Sequence, residues 1–178
     1  MKTCYVAALV LAIAVVSCKQ DKRTGDIITK KPVAEVHKTI QKTGDYSQTR
    51  HVNWLGNDYS IIVQRTAETN STVVDEGSGN QYYNNKIVVR ILRKDGTEFF
   101  KREFTKSDFS SYLDDSYNKK GVLLGVVFDR VEGDNMYFAA SVGSPDKLSD
   151  EYIPLVVKVS RTGNASVLKD AQFDSGSS

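Results

Sequence analysis

The sequence predicts a mainly β protein: an antiparallel meander forming a sandwich or a partly open barrel, with one short helix near residues 106–114. Three observations predict it. Short runs rich in Val, Ile, Phe and Tyr recur from residue 59 onward, about seven in all. Turn clusters separate them, among them Gly56-Asn57-Asp58, Lys94-Asp95-Gly96-Thr97, Glu132-Gly133-Asp134 and Arg161-Thr162-Gly163-Asn164. Only one stretch has helical spacing. Strands joined by such tight turns must run antiparallel.

Each element carries its own signal. Tyr59–Arg65 is short, β-branched and introduced by the first turn cluster. Lys86–Arg93 places Ile87, Val89 and Ile91 on one face, with Val88, Arg90 and Leu92 on the other. Asp95-Gly96 suits a type I′ turn, whose two central residues need positive φ. The return strand Glu98–Phe104 turns Phe100 and Phe104 inward and Lys101 and Glu103 outward. Thr105–Leu113 changes period. Thr105 or Ser107 caps a helix, Asp108 favours its first turn, and Phe109, Tyr112 and Leu113 recur at i, i+3 and i+4. Acidic Asp114-Asp115 at its end opposes the helix dipole and argues against extension. Strands resume over Val122–Phe128, Asn135–Val142, Tyr152–Ser160 and Ala165–Lys169. Gly125 marks a bulge or a close neighbour, and Pro154 belongs at an edge or a strand start.

Ahead of the strands, the apolar run Val6–Ser17 is preceded by Lys2 and followed by Cys18-Lys19-Gln20-Asp21-Lys22-Arg23. It is shorter than the ~20 apolar residues a spanning helix needs, and it has the proportions of a secretory signal. Val15-Val16-Ser17-Cys18 resembles the lipobox of bacterial lipoproteins, whose cysteine receives a diacylglycerol and becomes residue one after cleavage. The organisation expected is a lipoprotein signal peptide over 1–17, a lipidated Cys18 with a flexible tether over 18–45, a single β-rich domain over 46–172 and a mobile tail over 173–178. Within the tether, Val33–Val36 after Pro32 either docks as an edge strand or stays disordered. The expected location is the cell envelope, as an outer membrane lipoprotein on the periplasmic or surface face. Its membrane contact runs through the lipid alone.

Removing residues 1–17 from 178 leaves a chain long enough for one domain with its own core. Lys2 is the only charge removed, so 24 − 1 basic side chains face 22 acidic ones. With neither sign dominant, nothing argues for nucleic acid or an anionic surface as partner, and no nucleic acid is expected. Cys4 leaves with the signal and an acylated Cys18 has no thiol. The domain therefore has no cysteine for disulfides, thiolate catalysis or metal ligation. No cofactor is expected.

The run from Ile87 through Asp95-Gly96 to Phe109 resembles the central signature of the DUF4738 family, a domain of unknown function. Gly121–Asp129 and the following Met136–Gly143 are similar to it as well. The resemblance covers most of the chain after the tether. It implies a lipoprotein of gut Bacteroides-like bacteria, in agreement with the lipobox. It implies no activity and no site residues.

Few constellations point to chemistry. His37 lies in the tether and His51 at the first strand, with no Gly-x-Ser-x-Gly elbow to complete a Ser-His-Asp unit. Asp75-Glu76, Asp114-Asp115 and Asp150-Glu151 are the acidic pairs a glycosidase would draw on. Each lies among turn signals, where acids are commonplace, so a hydrolase is the weakest reading. Asp75–Asn80 has oxygen ligands and glycines but not the spacing of an EF loop, and no metal is predicted. Gly79–Asn85 reads as a loop joining side-chain amides to Tyr82 and Tyr83. With Trp54, the sole tryptophan, these tyrosines are the candidate ligand contacts, since flat aromatic faces beside amides suit a glycan or a protein ligand. The expected function is a non-enzymatic envelope lipoprotein with a binding or structural role, and an accessory glycan binder stands second.

Overall fold

Alternation of apolar and polar residues builds eight strands in the computed structural model, which describes residues 39–75 and 78–170. The signal segment, Cys18, His37, Val33–Val36 and the tail 173–178 lie outside the described residues. Strands β1 (Tyr46–Trp54), β2 (Asn57–Val74), β3 (Gln81–Arg93) and β4 (Glu98–Phe104) form one antiparallel sheet in that order. Strands β5 (Val122–Glu132), β6 (Asn135–Gly143), β7 (Tyr152–Ser160) and β8 (Ala165–Lys169) form the second. The sheets share no strand pair, so the architecture is a sandwich and not a barrel.

Inward faces of both sheets meet in one core. Ile61, Val63, Ile87, Val89, Ile91, Phe100 and Phe104 come from the first sheet; Val126, Met136, Phe138, Val142, Leu155, Val157 and Val159 come from the second. Period-two alternation puts each set on one side of its sheet. Phe104, Phe109, Phe138, Ile87, Ile91 and Val159 are fully buried. At about 25 cal/mol per Å2 of apolar area, each such side chain contributes roughly 1.5–3 kcal/mol.

Several expectations are corrected in detail. Among the described residues the strands number eight, because Tyr46–Trp54 pairs with β2 without a break although its apolar residues are few. Gln81–Asn85 is not loop but the start of β3, with Tyr82 opposite Val73 and Tyr83 opposite Thr72. The Asp95-Gly96 turn is not type I′. Gly96 alone has positive φ, and Gly96 N donates to Arg93 O while Arg93 N donates to Thr97 O. That pattern is a three-residue loop ending in a left-handed glycine. The side chain of Asp95 accepts from Thr97 N and Oγ1 and so braces this loop. The two-residue turn with positive φ at both centres is Leu55-Gly56.

Two short helices replace the one expected. A 3-10 helix spans Lys106–Tyr112, and α1 spans Asp115–Lys120. Asp114 does not end the helical region but opens α1, since its side chain accepts from Tyr117 N at 2.9 Å. Phe109 fills the core beside Phe104, and Tyr112 Oη donates to Val167 O at 2.7 Å, so the 3-10 helix covers β8. Lys106 Nζ donates to the carbonyls of Asn118 and Gly121 at 2.8 and 2.9 Å, closing the C-terminal end of α1. Burial pushes its ammonium pKa down, opposed by the charge of Glu68.

The sheets are clasped together by polar side chains near the start of β5. Asn84 and Asn85 are each 1% exposed. Asn84 Oδ1 accepts from Leu123 N at 3.1 Å, while Asn85 Nδ2 donates to Leu123 O at 2.7 Å and to Thr43 Oγ1 at 2.8 Å. The two amides thus serve Leu123 as a neighbouring strand would. Arg65 adds a second clasp, donating to Gly44 O at 2.8 Å and to Leu124 O, with its guanidinium over the Tyr46 ring. Gln41 bridges to Tyr82, so residues just ahead of β1 lie against the body of the domain.

Candidate functional site at the hairpin pole

The antiparallel order gathers four hairpin turns at one end of the sandwich. Trp54 Nε1 donates to Gly133 O at 3.0 Å, which ties the β1–β2 turn to the β5–β6 turn. Arg161 N donates to Asp134 O at 2.9 Å, and their side chains pair at 3.5 Å, adding the β7–β8 turn. Lys94 Nζ lies 3.5 Å from Asp58 Oδ2 and brings in the β3–β4 turn. Beneath them Trp54, Tyr59 and Phe99 pack in a triangle with centroids 5.6–5.7 Å apart and tilted rings. That plug packs the pole from beneath with aromatic surface. The chain enters β1 at Tyr46, the strand end opposite Trp54.

Two adjoining grooves open at this pole on the outer side of the first sheet. One, of about 420 Å3, runs past His51, Asn53, Asp58, Ser60 and Lys94. The other, of about 500 Å3, runs past Asn57, Asp58, Arg93, Lys94 and Asp95. Their walls are pre-arranged by cross-strand pairs. His51 Nδ1 is 3.0 Å from Ser60 Oγ, and Asn53 Nδ2 donates to Asp58 Oδ1 at 3.0 Å. The Asn53 amide, and then Lys94, hold the Asp58 carboxyl below its ordinary value. Asp95 is lowered as well, chiefly by the Thr97 backbone N–H and then by its hydroxyl. Both carboxylates are ionised at neutral pH beside the Lys94 and Arg93 cations. The grooves therefore offer hydrogen-bond donors and acceptors and charges of both signs, suited to a hydroxyl-rich or polar ligand.

The residues singled out from sequence are placed elsewhere or apart. Trp54 is 3% exposed, and its ring lies under the turns rather than on the surface. Tyr82 is 8% exposed and packs with Val73 and Val122 at the opposite end. Tyr83 is half-buried beside it, its N–H bound by Gln41 O at 2.9 Å. These three rings do not gather into one strip. Asp114 caps α1, and Asp75 holds a turn by accepting from Ser78 N at 3.0 Å. His51 is exposed on β1. Among the described residues no group of three His, Cys, Asp or Glu side chains is placed to hold a metal ion. The groove residues Asn53, Asp58 and Lys94 escaped the sequence reading because turn regions are rich in such residues. Only strand register, Asn53 opposite Asp58 and His51 opposite Ser60, brings them together.

No curated protein matches the sequence. The DUF4738 family, a domain of unknown function, matches residues 26–167. That span takes in the clasp, strands β1 to β7, the first residues of β8 and all four turns, and the chain belongs to this family.

Proposed function

We propose that this chain is a lipid-anchored, non-enzymatic recognition domain of the cell envelope that meets its ligand with the hairpin pole. One observation carries the reading: the chain enters the sandwich at one end, while four tied turns and two polar grooves occupy the other. A body held at its entry end turns the far end outward, and loops mounted on a rigid scaffold are where binding residues concentrate. The lipobox-like Val15-Val16-Ser17-Cys18 supplies the anchor. The use of Asp75 and Asp114 in a turn and a cap supports a non-enzymatic role.

A glycan is the second reading for the ligand. It is favoured by the alternating donors and acceptors of His51, Asn53, Asp58 and Lys94 beside Tyr59. Two measurements test the proposal. Envelope fractionation should release a Cys18→Ala variant from membranes, and a variant that still pellets with them overturns the anchor. An Asp58→Ala/Lys94→Ala variant should lose glycan-array binding or envelope cross-links that the parent chain makes. Retention of every one of those contacts overturns the site.

A further inference from the structure

Each four-stranded sheet ends in two edge strands, and three of the four edges in this sandwich are blunted. Strand β5 carries two register shifts, between Leu123 and Gly125 and between Phe128 and Arg130, and its outer half bears Asp129, Arg130 and Glu132. Strand β8 has only five residues, and Tyr112 reaches over from the 3-10 helix to its Val167 carbonyl. Strand β4 is irregular against β3 between Ile91 and Leu92, carries Lys101, and runs directly into the 3-10 helix. Bulges, short length, lysines and covering elements are the usual means of keeping an edge from taking another strand.

Among the described residues, strand β1 has none of these. It pairs with β2 over nine consecutive positions without a register shift, and it contains no proline, glycine or lysine. Its one formal charge is Arg50. Register places Arg50 on the core side of the sheet, opposite buried Ile61, yet the residue is exposed. Among the described residues Arg50 has no ion pair or side-chain hydrogen bond. The cation is thus positioned at an open edge without an acid to answer it.

We infer that the free edge of β1 is a strand-addition site for an extended segment of another protein carrying an acidic residue opposite Arg50. Main-chain hydrogen bonds along nine residues would supply the pairing, and Arg50 would select the sequence. A carboxylate can meet the guanidinium with two parallel hydrogen bonds. A lysine or arginine at that position meets a like charge directly across the strands, which is unfavourable. The same repulsion disfavours a symmetric pair of β1 strands centred on Arg50, which favours a different, acidic segment over a second copy in that register. The site runs along the edge of β1, whose His51 and Asn53 also wall one groove, but main-chain pairing there needs neither Asp58 nor Lys94, so the Asp58→Ala/Lys94→Ala variant that tests the grooves should leave it intact.

The test uses the full chain in mild detergent and nine-residue peptides of alternating threonine and valine with one central residue varied. Fluorescence anisotropy should give the central-glutamate peptide at least ten-fold tighter binding than the central-lysine peptide. An Arg50→Glu variant should reverse the order. Amide hydrogen exchange should slow at alternate residues of Tyr46–Trp54 when the glutamate peptide is added, and stay unchanged in β8. Three results each overturn the proposal: no binding of the glutamate peptide, equal binding of both peptides, or protection confined to another edge. Concentration-dependent dimerisation that protects β1 in the absence of peptide overturns it too, in favour of a second copy.

Discussion

Replacing Asn85 by alanine tests whether the Asn84-Asn85 pair is a structural clasp or a ligand contact. The side chain is 1% exposed, and its amide donates to Leu123 O at 2.7 Å and to Thr43 Oγ1 at 2.8 Å. Alanine removes both donors. Thr43 is half-exposed and can turn to water, but the Leu123 carbonyl is buried and is left without this partner. An unsatisfied buried acceptor costs about 1–3 kcal/mol, and the void left by the amide adds to that. A destabilisation of about 2–4 kcal/mol is therefore expected, a large share of the roughly 5–15 kcal/mol typical of a domain. Urea unfolding followed by the fluorescence of Trp54 measures it directly, because that residue is the sole tryptophan and sits in the core. The midpoint should fall with an unchanged slope, since the area exposed on unfolding is nearly the same. A change below about 0.5 kcal/mol, the range of ordinary surface substitutions, would refute the clasp.

Three further outcomes are expected. Trp54→Phe deletes the Nε1–H that reaches Gly133 O, so it should cost about 1–3 kcal/mol in chemical denaturation read by far-UV circular dichroism, and a neutral result would mean the pole turns are held otherwise. Burial raises the phenol pKa of Tyr46, with the Arg65 charge and the nearby Val126 backbone pulling it back. The folded chain then holds that proton more tightly than the unfolded one, so this stability is full below about pH 10 and lost as pH climbs through the raised value. Tyr46→Phe should remove part of the alkaline fall in urea midpoint. At neutral pH it should cost nothing, because the hydroxyl has no partner in hydrogen-bonding geometry. Gly143→Ala would set a Cβ 2.4 Å from Glu151 O and 2.6 Å from Tyr152 Cβ, backbone included. It should destabilise by roughly 1–3 kcal/mol or more through forced strand displacement, and a thermal midpoint equal to the parent's would contradict the packing.

Where side-chain alternation was strong, the fold was legible in the sequence. Ile87, Val89 and Ile91, and likewise Leu155, Val157 and Val159, are buried on the faces their spacing assigns. Gly125 sits at the register shift between Leu123 and Gly125, and Pro154 lies just before the stretch where β8 pairs with β7. The rest was hidden for identifiable reasons. Strand β1 reads as polar because edge position and an exposed outer face leave it few apolar residues. Asn84 and Asn85 read as loop because buried amides look the same in sequence as solvated ones, and only the Leu123 backbone explains them. Asp114 reads as a helix stop because an acid closing one helix and an acid capping the next look alike, and Asp115–Lys120 is too short to announce itself by period. The grooves could not be read at all, since they depend on turns from separate hairpins meeting at one pole.

Contiguity of the two sheets sets an order of events as the chain emerges and folds. Strands β1 to β4 succeed one another without interruption, and so do β5 to β8, so every strand pair closes between chain neighbours. Such local closure favours fast folding. A chain emerging amino-terminus first can complete the first sheet while the residues after Gly121 are still missing. Until those residues arrive, the apolar row Ile61, Val63, Ile87, Val89 and Ile91 stands uncovered. The half-made sheet, more than the finished sandwich, is the species that needs shielding from aggregation. Asn84 and Asn85, waiting at the end of that sheet for Leu123, are the first polar hold on the arriving half.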